Sequence, residues 1–312
     1  MVRVAAIDCG TNSIRLLVAD VGGDSLSDVW REMRIVRLGQ DVDATGRLAP
    51  EALERTRVAL ADYTAIARRA GARRIRMVAT SATRDAANRE DFFAMVRRTL
   101  GADAEVITGD EEARLSFTGA VGGLDPAGGP VVVVDVGGGS TEVVVGAWDD
   151  GRARVTAARS VNVGCVRITE RYLHSDPATA EEISAARWFA TQTLREAFTE
   201  VPVGQARTWV GVAGTVTTLS GIAQRLPVYD SERTHLSRLS LDQVRATAQS
   251  LLASTHEQRA ANPVIHPGRV DVIAGGALIV EVLAEELHTR AGITELVVSE
   301  HDILDGIALG LA

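Results

Sequence analysis

The sequence predicts an α/β protein built as two similar lobes facing a cleft. Three observations carry this expectation. The chain opens with an apolar strand, Val2 to Ile7, that ends on an aspartate turn, Asp8 to Ser13, and leaves as a second strand, Ile14 to Val21. A stretch rich in proline and glycine, Leu124-Asp125-Pro126-Ala127-Gly128-Gly129-Pro130, then interrupts the chain, and the same pattern restarts at Val131. Finally, 312 residues suffice for two domains, each with its own core.

In order along the chain, Gly22-Gly23-Asp24 reads as a hairpin leading to a third strand around Val29 to Leu38. Pro50 to Arg69 has helical periodicity, with Leu53, Val58, Leu60 and Ile66 on the apolar side. Ile75 to Ala79 reads as a strand, Arg89 to Leu100 as a helix, Ala104 to Thr108 as a strand and Glu111 to Gly119 as a helix, giving the order βββαβαβα. After the linker, Val131 to Val134 is a strand, Asp135 to Ser140 a turn and Thr141 to Trp148 a strand. Asp149-Asp150-Gly151 marks a second hairpin before the strand Ala153 to Val161. Helical and strand segments alternate thereafter, including a strand at Thr208 to Ala213 and a long helix at Val272 to Leu287. The βββαβα unit therefore occurs twice.

Composition narrows the function. Hydrophobic residues make up 46% and charged residues 24%, as in ordinary globular enzymes, and aromatics at 4% leave the cores to Val, Leu, Ile and Ala. A net charge of −8 argues against nucleic acid or acidic membrane as a partner, since both need a basic face. The chain contains no lysine, so all 33 basic residues are arginine and any phosphate clamp is a bidentate fork. Cys9 and Cys165 stand in unrelated contexts, which fits a reducing compartment without disulfides. With no signal-peptide core and no apolar run near 18 residues, the expected location is the cytoplasm. The six histidines are scattered and form no metal spacing.

The central signal is a pair of matching turns. Asp8-Cys9-Gly10-Thr11-Asn12-Ser13 joins two strands of the first lobe, and Asp135-Val136-Gly137-Gly138-Gly139-Ser140-Thr141 does the same in the second. Glycine frees the backbone so that successive N–H groups line a concave anion site, and Thr11, Asn12, Ser13, Ser140 and Thr141 add short donors. An Asp at each strand end is positioned to hold Mg2+, directly or through water. Neither turn is a Walker loop, which needs a Gly-Lys-Ser/Thr opening a helix, and no GxGxxG precedes a helix. A third glycine element, Gly211 to Thr218, includes Gly214 and Thr215 and leads into a helix at Leu219 to Gln224, whose start suits another phosphate.

These elements resemble the sugar-kinase, chaperone-ATPase and actin superfamily, whose two lobes are RNase H-like. Within it, IDCGTNSIRLLVAD, VATSATRDAAN, VITGDEEARLSF, VVDVGGGSTEVVV, VGVAGTVTTLSG, GRVDVIAGGALIV and VSEHDILDGIALGL resemble, in order, motifs of the exopolyphosphatase/guanosine pentaphosphate phosphohydrolase family. The resemblance spans the chain and looks like the short form without the helical C-terminal domains of longer members. The linker divides the chain into a first lobe over residues 1–125 and a second over 126–299, and the resemblance implies that residues 300–312 return to the first lobe.

Phosphoanhydride hydrolysis needs an oriented water, neutralised charge and in-line geometry. By position alone, Asp110, Glu111 and Glu112 are equal candidates for the group that orients or deprotonates the water, because acids favour helix N-termini. The resemblance selects Glu112 as the catalytic residue. It also implies Asp135 and Glu142 as ligands of Mg2+ or Mn2+, with Asp8 acting through water or simply capping its own turn. Arg15, Arg84 and Arg269 are the expected phosphate clamps. Cys9, inside the first turn, reads as a packing residue that also exposes the site to oxidation.

The leading expectation is an exopolyphosphatase that releases orthophosphate from inorganic polyphosphate and favours short chains. The alternatives are a guanosine pentaphosphate 5′-phosphohydrolase, forming guanosine tetraphosphate, and a polyphosphate or alarmone sensor with little turnover. A kinase is disfavoured, since nothing marks a second phosphoryl acceptor. A homodimer is expected from the resemblance.

Overall fold

The computed structural model describes residues 1–23, 25–125, 128–149 and 152–312. Parts of the two hairpin readings and of the linker, namely residues 24, 126–127 and 150–151, lie outside the described residues.

The first sheet contains β1 (Val2–Cys9), β2 (Ser13–Gly22), β3 (Ser25–Ile35), β4 (Arg74–Ala79) and β5 (Ala104–Val106) in the order β3-β2-β1-β4-β5. The first three strands form an antiparallel meander, and β4 and β5 continue it in parallel. The second sheet repeats this arrangement with β6 (Val131–Val136), β7 (Thr141–Asp149), β8 (Arg152–Val161), β9 (Thr208–Val212) and β11 (Glu295–Val298). A short additional strand, β10 (Arg238–Ser240), pairs antiparallel with β11 at the edge. The repeat extends to detail. The pairing slips after Val18 in the first sheet and after Val145 in the second, each ten residues past the strand-end aspartate (18 − 8 and 145 − 135). Two RNase H-like lobes result, as the sequence predicts.

β3 begins at Ser25 and ends at Ile35, earlier at both ends than the sequence suggests. The helix Pro50–Arg69 has the expected bounds, with proline in its first turn where a missing N–H costs nothing. Its buried stripe, however, is Ala52, Thr56, Ala59, Leu60, Tyr63, Thr64 and Ala67, and Val58 lies on the opposite side, 47% exposed. This helix and Arg89–Leu100 cover one face of the first sheet. In the second lobe, helices Cys165–Tyr172, Ala180–Glu200, Leu241–Ala253 and Ile273–Ala291 cover the corresponding face. No helix among the described residues is long and apolar enough to cross a membrane.

The other face of each sheet is covered by a helix from the opposite lobe. Helix Gly109–Val121 follows β5, yet Ala113, Phe117, Ala120 and Val121 pack on β6, β7 and β9 of the second sheet. A division at residue 125 therefore follows the chain but not the packing. Helix Ile303–Leu309 follows β11 and packs Ile303, Leu304, Ile307 and Ala308 on β1 and β2. The two helices cross where neither backbone leaves room for a side chain. A Cβ on Gly119 would lie 1.8 Å from the Asp302 carbonyl oxygen, and one on Gly306 would lie 2.1 Å from that of Leu115.

Candidate functional site

The two Asp-Gly turns have the same local cause. In each, the strand ends on a buried aspartate, and the first glycine N–H donates back across the turn: Gly10 to the Ser13 carbonyl at 2.9 Å, Gly137 to that of Ser140 at 3.0 Å. The crossing of the two helices brings the lobes together so that the turns face each other. Between them lies a cavity of about 90 Å³. Its wall includes Asp8, Thr11, Asn12, Ser13, Arg15, Glu112, Asp135, Gly137, Gly138, Ser140, Gly214, Thr215 and Arg269. Gly214 and Thr215 sit in the first turn of helix Ala213–Ala223, which starts six residues before the helix expected at Leu219. Their backbone donors therefore face the cavity from a helix N-terminus.

Four expected site residues do not line the cavity. The Thr141 hydroxyl donates to the Val163 carbonyl at 2.6 Å, so it holds the turn rather than facing the cleft. Gly139 is covered by Ser81 and Thr11 of the first lobe. Glu142 lies one strand behind the wall, directly opposite Asp135 in the β6–β7 register, and accepts a hydrogen bond from Ser160 at 2.7 Å. Arg84 sits behind Glu112, donating to its carboxylate at 3.2 Å and to the Ile107 carbonyl at 2.9 Å.

The three arginines expected as clamps thus separate. Arg84 is engaged by Glu112. Arg15 reaches the cavity but is held from both sides, by Asp8 at 2.7 Å and by Asp302. Arg269 forms no ion pair among the described residues. Its nearest partners are the Gly214 carbonyl and the Thr218 hydroxyl, both at 3.4 Å, and burial pulls its pKa down. It fits only because residue 214 is glycine, since a Cβ there would lie 2.1 Å from the guanidinium.

Four buried acids give the site its electrostatic character. Burial, with the Glu142 carboxylate close by, pushes Glu112 well above the usual carboxylate range. Asp135 is pushed up to about 8 by burial and then by Glu142 and Asp302, against the opposing hydrogen bond from Ser116 at 2.6 Å. Burial also raises Glu142, opposed by Ser160 and Ser140. Asp8 is raised by burial against the pull of Arg15. One of its oxygens, Oδ1, is buried with no hydrogen-bond partner among the described residues. Such a concentration of buried carboxylates is costly unless a cation or a proton offsets it.

The donors available to a metal are therefore all oxygens: the free Asp8 Oδ1 and the adjoining Asp135 and Glu142 carboxylates. That set suits a hard divalent cation. Among the described residues no three His, Cys, Asp or Glu side chains converge as a protein-only cage.

Sequence reasoning missed several contributors. Ser116 sits four residues after Glu112, on the same helix face, so helical spacing alone nominates it. Asp302 and Ser81 lie inside segments read only for their neighbours. The oxidation reading of Cys9 is not supported. Its thiol is buried in the first-lobe core and its pKa is pushed far up, whereas Cys165 is the cysteine bordering the cavity, pushed to about 11.

Comparison with known proteins gives a consistent picture. Residues 17–310 match the model of the Ppx/GppA phosphatase family. The chain is 58% identical to exopolyphosphatase 2 of Mycobacterium tuberculosis over 321 aligned positions, covering 100% of this chain and 99% of that one. Among solved structures, an exopolyphosphatase-like protein superposes with a TM-score of 0.96 at 44% identity, covering 100% of this chain and 98% of that one. The Aquifex aeolicus PPX-GPPA enzyme superposes with a TM-score of 0.80 at 32% identity, covering 99% of each chain. Two facing Asp-Gly turns, a buried acid on the crossing helix and a family match running from the second strand to the terminal helix lead to one assignment: the chain belongs to the Ppx/GppA phosphatase family.

Proposed function

We propose that the protein hydrolyses the terminal phosphoanhydride of inorganic polyphosphate and releases orthophosphate. The observation carrying this reading is the cavity of about 90 Å³ in which two phosphate-shaped turns face a buried Glu112. A space of that size suits one phosphoryl group with its attacking water.

In this reading the terminal phosphate accepts hydrogen bonds from the backbone N–H groups of Gly137 and Gly138 and from Thr11, Asn12, Ser13 and Ser140. Arg269 and the helix start at Gly214 and Thr215 bind the phosphates behind it. Glu112, in its carboxylate form, takes the proton of the attacking water. The new bond forms from water oxygen to terminal phosphorus, and the bond from that phosphorus to the bridging oxygen breaks. The electron pair stays on the shortened chain. The upward shift of the Glu112 pKa by burial supports this role, because it makes the carboxylate a stronger base. Arg84 orients Glu112, and Ser116 and Ser160 orient Asp135 and Glu142. Mg2+ or Mn2+, held by Asp135, Glu142 and, directly or through water, Asp8, would supply charge neutralisation at the scissile phosphate. Thr141 and Gly139 support the turn rather than touching substrate.

We further propose a cytoplasmic homodimer that favours short polymers; its two buried free cysteines support a reducing compartment. Sedimentation tests the dimer, and turnover on short against long chains tests the preference. The deciding assay is phosphate release from polyphosphates of defined length and from guanosine pentaphosphate, with wild type and Glu112→Gln. Release from polyphosphate that is lost in the variant is expected. Release from the nucleotide alone would replace the substrate, and a fully active variant would remove Glu112 from its role.

A further inference from the structure

The cleft differs sharply at its two ends. The central cavity shares Thr11 and Ser81 with a space of only about 20 Å³ on one side. On the other it shares Arg15, Ala213, Gly214 and Arg269 with a cavity of about 440 Å³. Among the described residues none borders both outer spaces.

At the narrow end the two phosphate turns touch. A Cβ on Gly138 would lie 2.9 Å from that of Thr11, and one on Gly139 would lie 2.5 Å from the Ser81 hydroxyl. The Thr11 and Ser81 hydroxyls are themselves hydrogen bonded at 2.9 Å. A gap that excludes a methyl group excludes a phosphate. Behind this contact lies an ionic latch between the lobes. Arg167 donates to the Gly139 carbonyl at 2.9 Å and pairs with Asp43 and Asp85, and Arg171 pairs with Asp43 as well.

At the wide end the acids are already occupied. Glu300 accepts from the Tyr229 hydroxyl at 2.5 Å and from Thr234, Glu32 from the Trp30 indole at 3.0 Å, and Asp302 is paired with Arg15. Arg269, without a carboxylate partner among the described residues, stands at the junction of the wide and central cavities. Arg269 is therefore the cation at that junction left to pair with a polyanion.

We propose that the contact of Thr11 and Ser81 with Gly138 and Gly139 is a stop that makes the cleft blind. The polymer then enters end-first from the Arg269 side, and only a terminal phosphate reaches Glu112. This rests on the hydrolase reading above, and adds the direction of entry and the residues that enforce terminal cleavage.

Charge placed at each end distinguishes the directions. Ser231 is exposed on the wall of the wide cavity, at the start of a short helix where an acid is tolerated. Gln40 is exposed beside Asp41, whose N–H donates to Glu170 across the latch. At low ionic strength Ser231→Glu is expected to lower kcat/KM on polymers by about fivefold with little change on pyrophosphate, and Gln40→Glu to stay within about twofold of wild type. A larger loss in Gln40→Glu, equal losses in both, or no loss in Ser231→Glu would each overturn the proposed direction. Absence of polyphosphate turnover in the wild type would instead remove the hydrolase reading itself.

Discussion

Replacing Arg269 and Arg15 separately by methionine, which preserves most of the apolar stem, is expected to separate binding from stability. Arg15 neutralises two buried carboxylates, Asp8 and Asp302. Its loss leaves both unpaired in a buried site, and breaking a buried pair by removing one partner costs about 3–5 kcal/mol. Arg269 compensates no acid among the described residues and makes only two contacts at 3.4 Å, while burial disfavours its charge. Its loss is therefore expected to leave stability within about 0.5 kcal/mol of wild type, or to raise it. The effect on function runs the other way. A charge-assisted contact to phosphate is worth about 1.5–3 kcal/mol, so Arg269→Met should lower kcat/KM on polyphosphate by about 10- to 150-fold. Calorimetric unfolding and phosphate release on the same preparations read both effects. If Arg269→Met unfolds as readily as Arg15→Met, or keeps wild-type kcat/KM, the assignment of Arg269 as the available cation is wrong.

Other expectations concern the same surfaces. Gly214→Ala places a Cβ 2.1 Å from the mobile end of Arg269, so it should fold normally and reproduce the activity loss of Arg269→Met. Gly119→Ala meets the Asp302 backbone at 1.8 Å and has no side chain to displace, so a loss of about 1–3 kcal/mol in denaturant unfolding is expected. Glu112→Gln should cost about 10²–10⁴ in kcat with KM little changed, measured by phosphate release. Asp135 gives a pH test. Its pKa is raised to about 8, so its contribution to stability is full below the ordinary carboxylate range and is lost as pH rises through about 8. Without metal, the unfolding temperature should therefore fall from pH 6 to pH 9 by more in wild type than in Asp135→Asn. Mg2+ should restore more of it at pH 9, where the ligand is already ionised. An equal fall in both proteins would show that Asp135 does not carry the effect.

Much of this arrangement is written locally. Val4 to Ile7 and Val131 to Val134 are apolar runs that a buried strand accommodates, and the Asp-x-Gly after each favours a tight turn. Pro50 and the periodicity that follows fix the bounds of their helix, and the repeated pattern fixes the number of lobes. The motifs fix the family and nominate Glu112, Asp135 and Glu142. What the sequence could not decide is which partner each group meets, because those contacts join residues far apart along the chain. Val58 reads as core and faces solvent, since its side of the helix depends on where the sheet lies. Helix Gly109–Val121 reads as part of the first lobe and covers the second sheet, because Gly119 and Gly306 let two helices exchange places. Arg15, Arg84 and Arg269 look alike in sequence. Only the folded chain pairs the first with Asp8 and Asp302 and the second with Glu112, leaving the third without a carboxylate partner among the described residues, since a charge is set by the acids around it and not by its neighbours along the chain.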